Sequence, residues 1–66
     1  MIYELWDESS GNRIDGANGE DGLRHLLQIA KEIHRDQRGA PPRLFIEVWD
    51  SLAASEPWAL LQIGTS

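Results

Sequence analysis

Residues 18–39, NGEDGLRHLLQIAKEIHRDQRG, decide the fold, because this is the one segment long and periodic enough to predict a helix, over about residues 19–38. At about 100° per residue, Leu23, Leu26, Leu27, Ala30 and Ile33 fall on one stripe with Ile29 at its margin, matching the i, i+3, i+4, i+7 spacing of a half-buried helix. Arg24, His25, Gln28, Lys31, Glu32, Arg35 and Asp36 fall opposite, so one side is expected buried and one wet. Asn18 is placed to accept from the free N–H groups of the first turn, Asp21 stands where a capping-box carboxylate would, and Gly39 supplies a left-handed stop. Acidic Glu20 and Asp21 near the start and basic Lys31, Arg35 and Arg38 near the end complement the helix dipole.

Strand-like sequence flanks the helix on both sides. Ile-Tyr-Glu-Leu-Trp-Asp, residues 2–7, is rich in β-formers, with Tyr3 and Leu5 on one side and Ile2, Glu4 and Trp6 on the other. The turn residues Glu8 to Asn12 return the chain into a short second strand, 13–17, expected to bring Ile14 to the core. After the helix, Pro41 and Pro42 favour extended backbone. Residues 43–49, Arg-Leu-Phe-Ile-Glu-Val-Trp, form the strongest strand pattern, with Leu44, Ile46 and Val48 opposed to Phe45, Glu47 and Trp49. Within the connection from Asp50 to Pro57, residues 51–54 fit a single helical turn, and 58–63, Trp-Ala-Leu-Leu-Gln-Ile, make the last strand.

These elements predict an α+β fold of ββαββ order, a four-stranded mostly antiparallel sheet with one helix packed on one face, in a single domain spanning 1–66. Glu4-Leu5-Trp6-Asp7 recurs as Glu47-Val48-Trp49-Asp50, each time where a strand enters a turn, which places two tryptophans in like positions. A single helix covers a single sheet face. If the aliphatic sides meet the helix, the other face carries Ile2, Glu4, Trp6, Phe45, Glu47, Trp49, Trp58 and Leu60. That aromatic set is larger than a lone small domain usually exposes, and Trp and Phe are enriched where proteins dock. Ile2, Trp6, Phe45, Trp49, Trp58 and Leu60 are therefore the candidate interface, for a homodimer first and for another protein second. The bland alternative is that the 50–57 loop folds over these rings.

Size and charge bound the function. A 66-residue chain hides only about 60% of its unfolded surface, and with no cysteine it has neither disulfides nor thiolate metal ligands. A partner is one way for so small a core to gain stability. No apolar run approaches the length that spans a bilayer, so the expected setting is cytoplasmic, with no membrane. The net charge of −5 argues against general binding to phosphate backbones. Yet residues 23–43 carry Arg24, Lys31, Arg35, Arg38 and Arg43 against Glu32 and Asp36, and this locally basic face is the alternative site, for nucleic acid. An acidic inhibitor or regulatory protein acting on a basic partner is the third reading.

The search for chemistry yields little. His34 ends the apolar stripe and is expected to be a packed residue with one hydrogen-bond partner, since Ala30, one turn back, offers no second ligand. The segment 15–22, DGANGEDG, lacks the ligand at its third position and the twelfth-position glutamate of a calcium loop, and has no phosphate-loop lysine. Neither a nucleophile elbow around the serines nor a pocket that would distinguish Glu4 from Glu47 is present in the pattern. No catalytic, cofactor or metal residue is therefore expected, and the chain is read as a non-enzyme.

Tyr3-Glu4-Leu5-Trp6-Asp7, then Ser10-Gly11-Asn12 and a helix after an acidic, glycine-rich turn, resembles the start of small uncharacterised bacterial proteins of β-β-α-β-β type. The likeness covers about the first third of the chain. That group typically has a Thr-Glu pair before the helix, where Ala17-Asn18-Gly19-Glu20 stands here. What the resemblance implies is the fold and a bacterial origin, with no activity attached.

Overall fold

The alternating apolar runs and the single amphipathic segment fold as four strands and one helix: β1 (Ile2–Asp7), β2 (Asn12–Asn18), α1 (Gly19–Asp36), β3 (Leu44–Trp49) and β4 (Ala59–Ile63). The computed structural model describes residues 1–36, 42–51 and 53–63. All pairings are antiparallel and the strand order is β2-β1-β3-β4, an α+β sheet with β1 and β3 at its centre. The two most continuous β-formers thus take the two positions where both edges of a strand are bonded.

Turn chemistry closes the first hairpin. Ser9 N–H donates to the Asp7 carboxylate at 2.9 Å, an Asx turn, and Gly11 takes φ +72° while its N–H donates to the Asp7 carbonyl at 2.9 Å. Ile14 departs from expectation. The β1–β2 register shifts between Leu5, opposite Asp15, and Trp6, opposite Arg13, which leaves Ile14 as the extra residue of a β-bulge, 38% exposed. The helix-side residues of β2 are Asp15 and Ala17, opposite Leu5 and Tyr3, so Ile14 does not join the core.

The helix starts at Gly19, as the spacing predicts, but Asn18 does not act as its cap. Asn18 is still in the ladder, opposite Ile2, and Gly19 at φ +71° makes the corner, its N–H donating to the Met1 carbonyl at 3.0 Å. Gly19, free of a Cβ penalty in that conformation, takes the capping place expected of Asn18. A turn later the helix crosses β2 closely: a Cβ at Gly22 would lie 2.8 Å from the Ala17 Cβ. At the far end His34 Nε2 donates to the Pro42 carbonyl at 3.0 Å, tying the last turn to the approach to β3. The Gly39 stop lies outside the described residues.

Leu5, Leu26, Ala30, Leu44, Ile46 and Val48 form the core, with Tyr3, Ala17, Leu23, Ile29, Ile33, Ala59 and Ile63 packed around it. Each fully buried leucine or isoleucine contributes about 1.5–3 kcal/mol. Two leucines on the helix side fall outside this core. Leu27 is 43% exposed, whereas Ile29, about equally far round the helix from the direction shared by Leu26 and Ala30, is partly buried on the other flank. Leu61, on the helix side of β4 opposite Ile46, is 42% exposed, because α1 packs chiefly on β2 and β1 and leaves the β4 flank thinly covered.

Candidate interaction surface

Residues directly opposite in an antiparallel ladder share a face. With Leu5 against Ile46 on the helix side, the neighbouring pairs Trp6 with Phe45, Glu4 with Glu47 and Ile2 with Trp49 alternate: the middle and flanking pairs all lie on the face without a helix. Leu60 and Gln62 of β4, opposite Glu47 and Phe45, extend the same face outward. The sequence echo takes on a spatial meaning here. Trp6 and Trp49 stand symmetrically on either side of the Glu4–Glu47 pair, two residues from each glutamate.

The rings are organised by these registers. Trp6 and Phe45 stack with centroids 6.4 Å apart and planes inclined by 6°. Trp6 Nε1 is buried with no hydrogen-bond partner among the described residues. Trp49 is held differently: its Nε1 donates to Glu47 Oε2 at 3.0 Å. Glu4 Oε2 accepts from Arg13 Nε at 2.8 Å, and the guanidinium reaches it across Gly16, occupying the space a Cβ there would fill. The two facing carboxylates thus have separate partners, which offsets the repulsion of like charges placed opposite.

Ile2, Trp6, Phe45 and Trp49 are half-buried, so each side chain is already partly covered. Ile2, Glu4, Trp49, Ser51 and Ala54 line an open cleft of about 260 Å³, at whose border Ala54 N–H donates to the Ser51 carbonyl at 3.2 Å. Trp58 and Leu60 are the most exposed large apolar residues described, at 68% and 56%. Trp58 is not part of the regular ladder. Its N–H donates to the Val48 carbonyl at 2.6 Å, whereas the register Val48 opposite Ala59 would continue to Trp49.

The basic side is the outer surface of α1. Arg24, Lys31 and Arg35 are exposed there and Arg43 is exposed at the approach to β3, while Arg38 lies outside the described residues. Arg24 is paired with Asp21 at 2.8 Å and lies 3.9 Å from Glu20, and Arg35 is 3.7 Å from Asp36. His25 Nε2 stands 3.5 Å from the Asp15 carboxylate, joining the helix to β2. Of the exposed cations on this side, Arg24 and Arg35 thus have acidic neighbours within 4 Å.

Sequence reasoning missed the two polar anchors of the aromatic face, Arg13 to Glu4 and Trp49 to Glu47. The second was readable as an i, i+2 pair on one strand; the first depended on the bulge. Among the described residues no helix is long and apolar enough to cross a membrane, and no three His, Asp or Glu side chains converge as a metal site would need. No protein-family model, curated protein or solved structure matches the chain.

Proposed function

We propose that this protein is a non-enzymatic interaction module that docks a protein surface, a second copy of itself first, through the sheet face lacking a helix. The observation that carries the reading is the alignment of Ile2, Trp6, Phe45 and Trp49 on that face, continued by exposed Leu60 at β4. Rigid aromatic side chains bury much area for little lost conformational entropy, and they concentrate at the energetic centres of interfaces. Trp49 is held in one orientation by Glu47 and Trp6 by Phe45, so little ordering remains to be done on docking.

Sedimentation velocity across micromolar concentrations, read together with tryptophan emission and quencher access, tests it. Association with concentration, accompanied by a blue shift and lost quencher access, is expected. A strict monomer whose tryptophans stay quencher-accessible removes self-association and restricts the reading to a different protein partner.

A further inference from the structure

The two outer strands of the sheet are built differently. β2 carries Arg13, Asp15, Gly16 and a bulge, the devices by which natural sheets discourage further strand pairing. β4, Ala-Leu-Leu-Gln-Ile, is the one strand of the four with no charged residue, no glycine and no irregularity in its register with β3. Its central residues are exposed on both faces, Leu60 on the open side and Leu61 on the helix side, and no described element pairs with its outer edge. Such an edge presents a row of free backbone donors and acceptors between apolar side chains. What satisfies it is another strand.

We propose that a second copy of this chain adds its β4 antiparallel to β4, about a two-fold axis through Leu61, giving one continuous eight-stranded sheet. Three observations favour a second copy as the occupant. The pairing is self-complementary: Leu61 meets Leu61 of the other copy, Ala59 meets Ile63 so that small faces large, and Leu60 meets Gln62. It is neutral: a chain of net charge −5 repels its own copies, and β4 is the strand along which no like charges are brought together. It also closes, because the extended sheet ends on two β2 edges that are charged and bulged, so growth stops at two copies. The proposal goes beyond the docking face above and does not depend on it, since it uses the rim of the sheet and leaves Ile2, Trp6 and Trp49 available.

The chain contains no cysteine, so Leu61→Cys introduces a single thiol on the proposed axis. Directly opposed strand residues have Cα atoms about 4.5–5.5 Å apart, inside the roughly 4.4–6.8 Å range that a disulfide bridges. Mild oxidation at micromolar concentration is expected to convert L61C to a covalent dimer, while Gln28→Cys on the exposed side of the helix stays monomeric. In sedimentation, Leu61→Lys is expected to weaken association at least about tenfold, with an unchanged circular dichroism spectrum, while Gln28→Lys on the exposed side of the helix leaves it intact. Added salt strengthens the wild-type dimer by screening the net charge. Failure of L61C to cross-link above the Q28C level, or a wild-type chain that is monomeric throughout, overturns the proposal. A dimer that survives L61K and dissociates in I2K overturns it too, and in that case supports docking through the open face.

Discussion

Glu4 and Glu47 stand directly opposite each other at the centre of the open face, each held by a different donor, Arg13 Nε at 2.8 Å and Trp49 Nε1 at 3.0 Å. Arg13 is half-exposed, so its pairing is worth about 0.2–1 kcal/mol, partly screened by salt. Arg13→Ala is expected to destabilise by that amount, and Glu4→Gln in the R13A background to recover part of it by removing the repulsion. Urea unfolding of the two single variants and the double variant measures the coupling. Equal losses on Arg13→Ala in both backgrounds would show that Arg13 and Glu4 do not interact.

Gly22 is the wrong residue for a helix interior and the right one for this crossing. Replacing it with alanine gains about 1 kcal/mol of helix propensity. The added methyl meets Ala17 at 2.8 Å, and forced overpacking of that kind costs about 1–3 kcal/mol. Gly22→Ala is therefore expected to lower stability on balance, read as a reduced thermal midpoint, and Ala17→Gly in the same chain to restore part of the loss.

Leu26 and Leu27 are adjacent in sequence and unequal in the fold, the first fully buried and the second 43% exposed. Leu26→Ala is expected to cost about 2–5 kcal/mol and Leu27→Ala under about 1 kcal/mol. Denaturant midpoints of the two variants give the comparison. Similar losses would mean that α1 is rotated from the position described.

Trp6 stacks on Phe45 but leaves its indole N–H buried without an acceptor among the described residues. Trp6→Phe removes that donor and keeps a ring, so it is expected to cost less than about 1 kcal/mol, against about 3–5 kcal/mol for Trp6→Ala. A large loss in W6F would indicate that the N–H has a partner in solution.

Much of the fold was legible because it is written in period. The 18-residue helix and the strict alternation of β1 and β3 follow from spacing alone, and the placement of Trp6, Phe45 and Trp49 away from Leu5 and Ile46 comes with it. What could not be read depends on tertiary fit. The bulge at Ile14 is a matter of pairing between β1 and β2, and nothing in the five residues of the expected strand marks it. Leu27 lies on the apolar stripe and Leu61 on the helix side of β4, yet both are exposed, because pattern carries no information about where a helix lies across a sheet wider than itself. Arg13 reaches Glu4 only because the position between them is glycine, a relation between strands that neither strand announces.

Because α1 rests over β1 and β2, the sheet is not fastened equally across its width. β1 is bonded on both edges and roofed by the helix, while β4 is bonded to β3 alone and roofed by little. The free energy of local opening is graded accordingly, and native-state amide exchange in an isolated protomer should release β4 before β1. Leu5, Leu26 and Ala30 belong to a core in which α1 packs chiefly on β1 and β2, so β4 is the strand that the molecule lends out most readily.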